Sequence, residues 1–187
     1  MHKAARRAVF IGRFQPFHLG HLEAVKQILQ ECNELIIAVG SAQYSYTLEN
    51  PFTAGERIEM IRIGLEAAGL DLRRIMIIPV PDIGEHSIWV ARLKSMLPKF
   101  DVAYTNNQFV KLLLEDQNVP VIEPKLINRE ELNATSIRAL MIRNEDWKRF
   151  LQPEVASYIE SIRGDDRIRK IVSSEQRQLM KSSAQVE

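Results

Sequence analysis

His18-Leu19-Gly20-His21 closes a stretch that begins Gly12-Arg13-Phe14-Gln15-Pro16-Phe17 and follows directly on a short apolar run. The chain has four histidines in all, and a separation of three puts this pair on one face of a helical first turn. Unpaired amides at a helix start carry partial positive charge and bind anions. Gly20 removes a side chain where a phosphate could approach the backbone, and two imidazoles added there make a cradle for a triphosphate. The competing chemistry is a zinc site, which needs three or four protein ligands. No nearby cluster of Cys, Asp or His supplies them, so no metal held by the protein alone is expected. The glycine-rich dinucleotide fingerprint and the Walker A loop are both absent, which leaves hydride transfer and P-loop hydrolysis without support.

The elements that must position this pair follow from hydrophobic periodicity. Ala8 to Gly12 reads as a strand, and Leu22, Val25, Ile28, Leu29 and Cys32 mark an amphipathic helix over Leu19 to Cys32. Leu35 to Val39 is a buried strand followed by Gly40 and a polar loop to Pro51. Thr53-Ala-Gly-Glu56 has capping-box spacing and predicts a helix start, with Ile58, Ile61 and Leu65 on one face. Strands are predicted at Ile75 to Val80, Val102 to Tyr104 and Val119 to Ile122. Helices are predicted at Ile88 to Leu97, Phe109 to Glu115, Ser136 to Ile142 and Trp147 to Arg163, the last interrupted near Pro153. Alternating strands and helices predict an α/β fold, a doubly wound Rossmann-like parallel sheet of about five strands with helices on both faces and a C-terminal helical segment. Ligands of such sheets bind at the carboxyl ends of the strands, which singles out the loops after Gly12, Gly40, Val80 and Tyr104.

At 187 residues, 45% hydrophobic and 26% charged, the chain fits one globular domain, expected over 1–170, with 171–187 a mobile polar tail. The net charge of +1 gives no long-range attraction to nucleic acid or a membrane surface, so neither is expected as a partner. Cys32 is the single cysteine and cannot form an internal disulfide; with no signal-peptide pattern, the expectation is a cytoplasmic protein. A second cluster, Thr135-Ser-Ile-Arg138, falls at a late helix start, where Thr135 suits an N-cap. Taken by itself, Arg138 in the first turn is either a solvated arginine or a two-pronged phosphate ligand.

Gly12 to His21 resembles the signature of the nucleotidylyltransferase superfamily, specifically the archaeal type of nicotinamide-nucleotide (NMN) adenylyltransferase. Gly40-Ser-Ala-Gln43, Asn50-Pro-Phe-Thr-Ala-Gly-Glu-Arg57 and Ser87-Ile-Trp-Val90 resemble that family in order and approximate spacing, and the resemblance covers about Arg7 to Lys170. It implies catalytic roles for His18, His21 and Arg138. It also implies ATP or phosphate binding by Gly12, Arg13, Phe14, Gln15, Gly20, Arg57 and Thr135, with a subunit contact the other reading of Arg57. For the nicotinamide nucleotide it implies Ser41, Asp82, Ile83, His86, Trp89 and Asn107, with Trp89 stacking on the pyridine ring. The sequence departs from the family pattern at Asn133-Ala134, Asn106 and His86. His86 lies three residues before Trp89, where the amide or acid form of the pyridine would be read.

What the resemblance implies is transfer of AMP from ATP to nicotinamide mononucleotide, with the nicotinic acid form a second acceptor, giving NAD and pyrophosphate in NAD biosynthesis. No serine, cysteine or carboxylate is set beside a base, so direct in-line attack by the mononucleotide phosphate is expected, with Mg2+ arriving on ATP. The family suggests a homo-oligomer, commonly a hexamer. Two other readings share these residues: a transferase for phosphopantetheine, flavin mononucleotide or small alcohol phosphates, against which the Trp89 loop argues, and a nucleotide sensor that releases no pyrophosphate.

Overall fold

The computed structural model describes residues 6–125 and 132–183. Five parallel strands, β1 (Arg7–Gly12), β2 (Glu34–Val39), β3 (Ile75–Pro79), β4 (Val102–Tyr104) and β5 (Val121–Ile122), form one sheet in the order β3-β2-β1-β4-β5. Helices α1 (Leu19–Glu31), α2 (Ala54–Ala67), α3 (Trp89–Met96) and α4 (Gln108–Asp116) make the crossovers, and α5 (Ala134–Arg143), α6 (Pro153–Ser161) and α7 (Gly164–Ser183) follow the last strand. The direction of winding reverses between β1 and β4, so the loops leaving these two neighbours diverge and open a crevice. The expected doubly wound α/β fold is the one the chain adopts.

Strand alternation divides the core in two. Ala8, Phe10, Leu35, Ile37 and Val39 face α1, α2 and the C-terminal helices, whereas Val9, Ile36, Ala38 and Ala103 face α3 and α4. Both faces are covered, which is why β2 is an unbroken apolar run. Gly12 pairs with Val39, so β1 and β2 end at one level and their following loops start side by side.

Two devices fix the helices that border the crevice. The Thr53 hydroxyl accepts from the Glu56 amide at 3.2 Å while the Glu56 carboxylate accepts from the Thr53 amide at 2.9 Å, the capping box expected of α2. The same carboxylate takes both prongs of Arg167, from α7, at 2.6 Å each. At the far end of α1, Arg74 donates to the carbonyls of Leu29 and Cys32, which the helix terminus leaves unpaired, and to that of Asn33 just beyond it.

Two segments differ from expectation. Pro153 does not interrupt a helix but opens α6, because the first helical position needs no amide donor; a 3₁₀ turn at Lys148–Phe150 precedes it. Residues 171–183, expected as a tail, continue α7 to Ser183. The polar composition there argues for a solvated surface and not against a helix, since the segment holds neither proline nor glycine and its middle, Glu175 to Lys181, consists of good helix formers. Residues 184–187 lie outside the described residues. Among the described residues, no helix is long and apolar enough to cross a membrane.

Candidate active site

A cavity of about 710 Å³ occupies the crevice at the carboxyl ends of β1 and β4. The β1 loop gives it Gly12, Arg13, His18 and His21, and the β2 loop gives Ser41. Asp82, Ile83, His86 and Trp89 close one wall after β3, and Asn107 enters after β4. The structure thus brings together ten of the residues expected from sequence. That size is in the range of small-molecule and cofactor sites.

The two histidines meet differently from two residues within one helix. His18 stands outside α1 as its N-cap, with extended backbone, and His21 is the third helical residue. Their rings stack with centroids 3.7 Å apart at 29°. The His18 amide donates to Nδ1 of His21 at 3.3 Å, which makes that nitrogen an acceptor and leaves the proton of the neutral ring on Nε2. His18 is buried, and its Nδ1 has no hydrogen-bond partner. Burial lowers the His18 pKa to about 4; burial, then the neighbouring His18, holds His21 well below the ordinary imidazole range. Near neutral pH both rings are uncharged donors at the positive end of a helix.

Phe14 and Gly20 serve this pair and do not themselves present a phosphate ligand through a side chain. Phe14, at φ 52°, turns its ring into the core edge-on to His21, with centroids 4.9 Å apart. A methyl at Gly12 would come within 2.9 Å of the Phe14 ring. At Gly20 a methyl would meet the His18 ring at 3.1 Å, so the glycine makes room for an imidazole. Gln15 is buried, and its amide holds both backbone groups of Phe52 at 3.0 Å.

Arg138 reaches the β1 loop from α5, where it donates to the Gln15 carbonyl at 2.9 Å and to the Thr135 hydroxyl at 3.4 Å, but it does not line the cavity. Burial, and then the charge of Arg13, lowers its pKa. Thr135 is not the cap of α5: Asn133 is, accepting from the Ser136 amide at 2.8 Å, because the helix begins one residue before Thr135. Arg13 is half-exposed at the mouth, with the Glu49 carboxylate 3.9 Å away.

Arg57 departs furthest from expectation. It is fully buried and does not line the cavity. Its guanidinium donates to the carbonyls of Arg13 (2.8 Å), Gly40 (2.7 Å), Ser41 (3.1 Å) and Thr53 (3.3 Å). Four of the five donors of the fork are thereby used on backbone, which removes it as a direct phosphate ligand.

On the opposite wall the Ser41 hydroxyl donates to the Asp82 carboxylate at 2.6 Å. Gln43, which sequence reasoning left without a role, pairs with both backbone groups of Asp82 at 2.9 Å each and so ties the β2 and β3 loops. Its only sequence signal is membership of Gly40-Ser-Ala-Gln43. His86 stands edge-on to Phe109, centroids 4.9 Å apart at 84°. Asn107 lines the cavity, but its carbonyl oxygen caps α4 through the Phe109 and Val110 amides, which leaves only its amide nitrogen for a ligand. Tyr44, Thr105 and Phe109 also line the cavity and were not anticipated. No group of three His, Cys, Asp or Glu that could hold a metal ion occurs among the described residues.

The site is thus an imidazole pair at the amino end of α1, at the switch point of a parallel sheet, with Arg13 and the rings of Tyr44, Trp89 and Phe109 lining the same cavity. The family model described as cytidylyltransferase-like matches residues 9–145. Nicotinamide-nucleotide adenylyltransferase of Saccharolobus solfataricus is 47% identical over 169 residues, covering 90% of this chain and 98% of its own. That of Archaeoglobus fulgidus is 48% identical over 168 residues, covering 88% and 97%. The fold matches a bifunctional NMN adenylyltransferase/ADP ribose pyrophosphatase from Francisella tularensis, crystallised with AMP and a manganese ion, at a TM-score of 0.75 and 24% identity. The match covers 95% of this chain and 56% of that longer one. The chain belongs to the nicotinamide-nucleotide adenylyltransferases of the cytidylyltransferase-like family.

Proposed function

We propose that the protein transfers AMP from ATP to nicotinamide mononucleotide, forming NAD and pyrophosphate. The observation that carries the reading is the stacked, uncharged His18–His21 pair at the amino end of α1 inside the cavity. A mononucleotide phosphate oxygen is ionised at neutral pH and needs no base. It attacks the α-phosphorus of ATP in line, and pyrophosphate leaves from the far side. The enzyme's task is alignment and charge stabilisation. Nε2–H of His21 is free to donate to the α-phosphate as charge builds there, with His18 beside it. Arg13, and the donors of Arg138 not engaged by Gln15 and Thr135, hold the β- and γ-phosphates. Trp89 and His86, on the wall across from these groups, take the pyridine ring and its amide or acid group.

A divalent ion acts as part of the ATP substrate in this reading, and we assign it to Mg2+; its chemistry is to neutralise the leaving pyrophosphate. A homo-oligomer, a hexamer by the family resemblance, and a cytoplasmic site of action belong to the same reading. The test is pyrophosphate release with ATP and Mg2+, comparing nicotinamide mononucleotide, its acid form and no acceptor. Release only with a pyridine mononucleotide, together with the dinucleotide, supports the function and ranks the acceptors. Silence with both overturns it.

A further inference from the structure

The two substrates of the proposed reaction would be held by different loops, and their relative placement sets the distance of attack. The β1 loop carries the imidazoles and Arg13, and the β2 loop carries Ser41, which is bonded to Asp82 on the pyridine side. One backbone bond joins the loops at their root, from the Gly40 amide to the Gly12 carbonyl at 2.8 Å. Beyond the root, the Arg57 fork spans them, with Arg13 on one side and Gly40 and Ser41 on the other. Three features mark this span as built for a purpose beyond packing.

The first is cost. Arg57 is fully buried and has no paired carboxylate: no acid lies within ion-pair distance among the described residues, and Asp82 acts on it only from further off. Burying a cation on neutral carbonyls alone is expensive where an apolar side chain would pack as well. The second is orientation. In a planar trans peptide the carbonyl and the following amide point oppositely. Drawing the Arg13 and Gly40 carbonyls onto Arg57 therefore turns the amides of Phe14 and Ser41 away from it. The third is anchoring. Arg57 follows Glu56, whose carboxylate is fixed by the capping box and by Arg167, so the fork projects from a first turn that cannot drift.

We propose that Arg57 is a positioning residue for adenylyl transfer, setting the separation of the β1 and β2 loops and hence the alignment of ATP with the mononucleotide, without touching either. The proposal rests on the function given above. It separates alignment from affinity: each loop still binds its own substrate when the span is lost, but the reacting atoms no longer meet in line. A misplacement of about 1 Å can lower a rate on the order of a hundredfold.

The test is steady-state kinetics of Arg57→Gln and Arg57→Lys beside the wild type, with the concentration of competent sites fixed by calorimetric titration with ATP. Dinucleotide formation by the wild type in the same assay secures the function independently of the variants. Arg57→Gln should lower kcat per ATP-binding site at least tenfold while both KM values stay within about threefold. Arg57→Lys, which keeps the charge but offers one nitrogen to four carbonyls, should recover only part of that loss. An unchanged kcat per competent site overturns the proposal. So does full recovery by lysine, which would make the charge alone sufficient, or a KM for ATP that rises tenfold at constant kcat, which would return Arg57 to phosphate binding. Failure of both variants to fold assigns Arg57 to the stability of the fold and likewise overturns it.

Discussion

The imidazoles of His18 and His21 lie face to face, 3.7 Å apart, with the backbone amide of the first bonded to Nδ1 of the second. At that distance two imidazolium ions would repel strongly, so the pair works as neutral donors and the protonated Nε2 of His21 is the atom offered to a phosphate. His21→Ala should lower kcat at least tenfold while the circular dichroism spectrum and melting temperature stay near wild type. Near-normal turnover would remove His21 from the chemistry.

The pair also makes stability depend on pH. In an unfolded chain both imidazoles titrate near 6.5, whereas burial lowers His18 to about 4 and holds His21 well below its ordinary value. Between those values the unfolded chain binds protons that the folded one refuses. Stability is therefore full above about pH 6.5 and falls as the pH drops toward 4, by on the order of 3 kcal/mol from His18 alone. Urea unfolding of the ligand-free protein at several pH values, for wild type and His18→Gln, measures this. The variant should lose less stability over the window; identical slopes would contradict the assignment.

Gly20 separates stability from activity. Alanine in a helix is ordinarily better than glycine by about 0.5–1 kcal/mol. Here its methyl meets the His18 ring at 3.1 Å and must push it aside. Gly20→Ala should leave the melting temperature within a few degrees of wild type and lower kcat roughly fivefold. Wild-type turnover would show that the ring position is not critical.

Arg138 is bonded at two points, to the Gln15 carbonyl and the Thr135 hydroxyl, with its other donors available. Arg138→Ala should raise the KM for ATP about tenfold or more and leave the KM for the mononucleotide nearly unchanged. An equal rise in both would place the residue in loop support and not on the triphosphate.

The sheet was legible because its signals are local. Leu35 to Val39 is apolar without interruption since both faces of β2 are covered, and Thr53 with Glu56 announces α2 through two side chains three residues apart. The histidine pair was legible for the same reason. What escaped is decided over distance. Arg57 has the spacing of any helix-surface arginine, and nothing local shows that its bonds run to carbonyls 44 and 17 residues away. Gln43 is tied to Asp82 across 39 residues, and no pattern around either announces it. Asn133 and Thr135 both suit a cap, and only the backbone decides that the earlier one closes α5.

The family match ends at residue 145, yet the molecule does not. Ile159 and Ile168 are fully buried in the larger core, and Arg167 returns to clasp Glu56 at the head of α2. A fragment cut at the edge of the match would bare an apolar seam and release the turn from which Arg57 projects. The packed unit therefore extends beyond the residues that the family model matches, and the nicotinamide-nucleotide adenylyltransferases that align over about nine-tenths of the chain reach into these last helices as well.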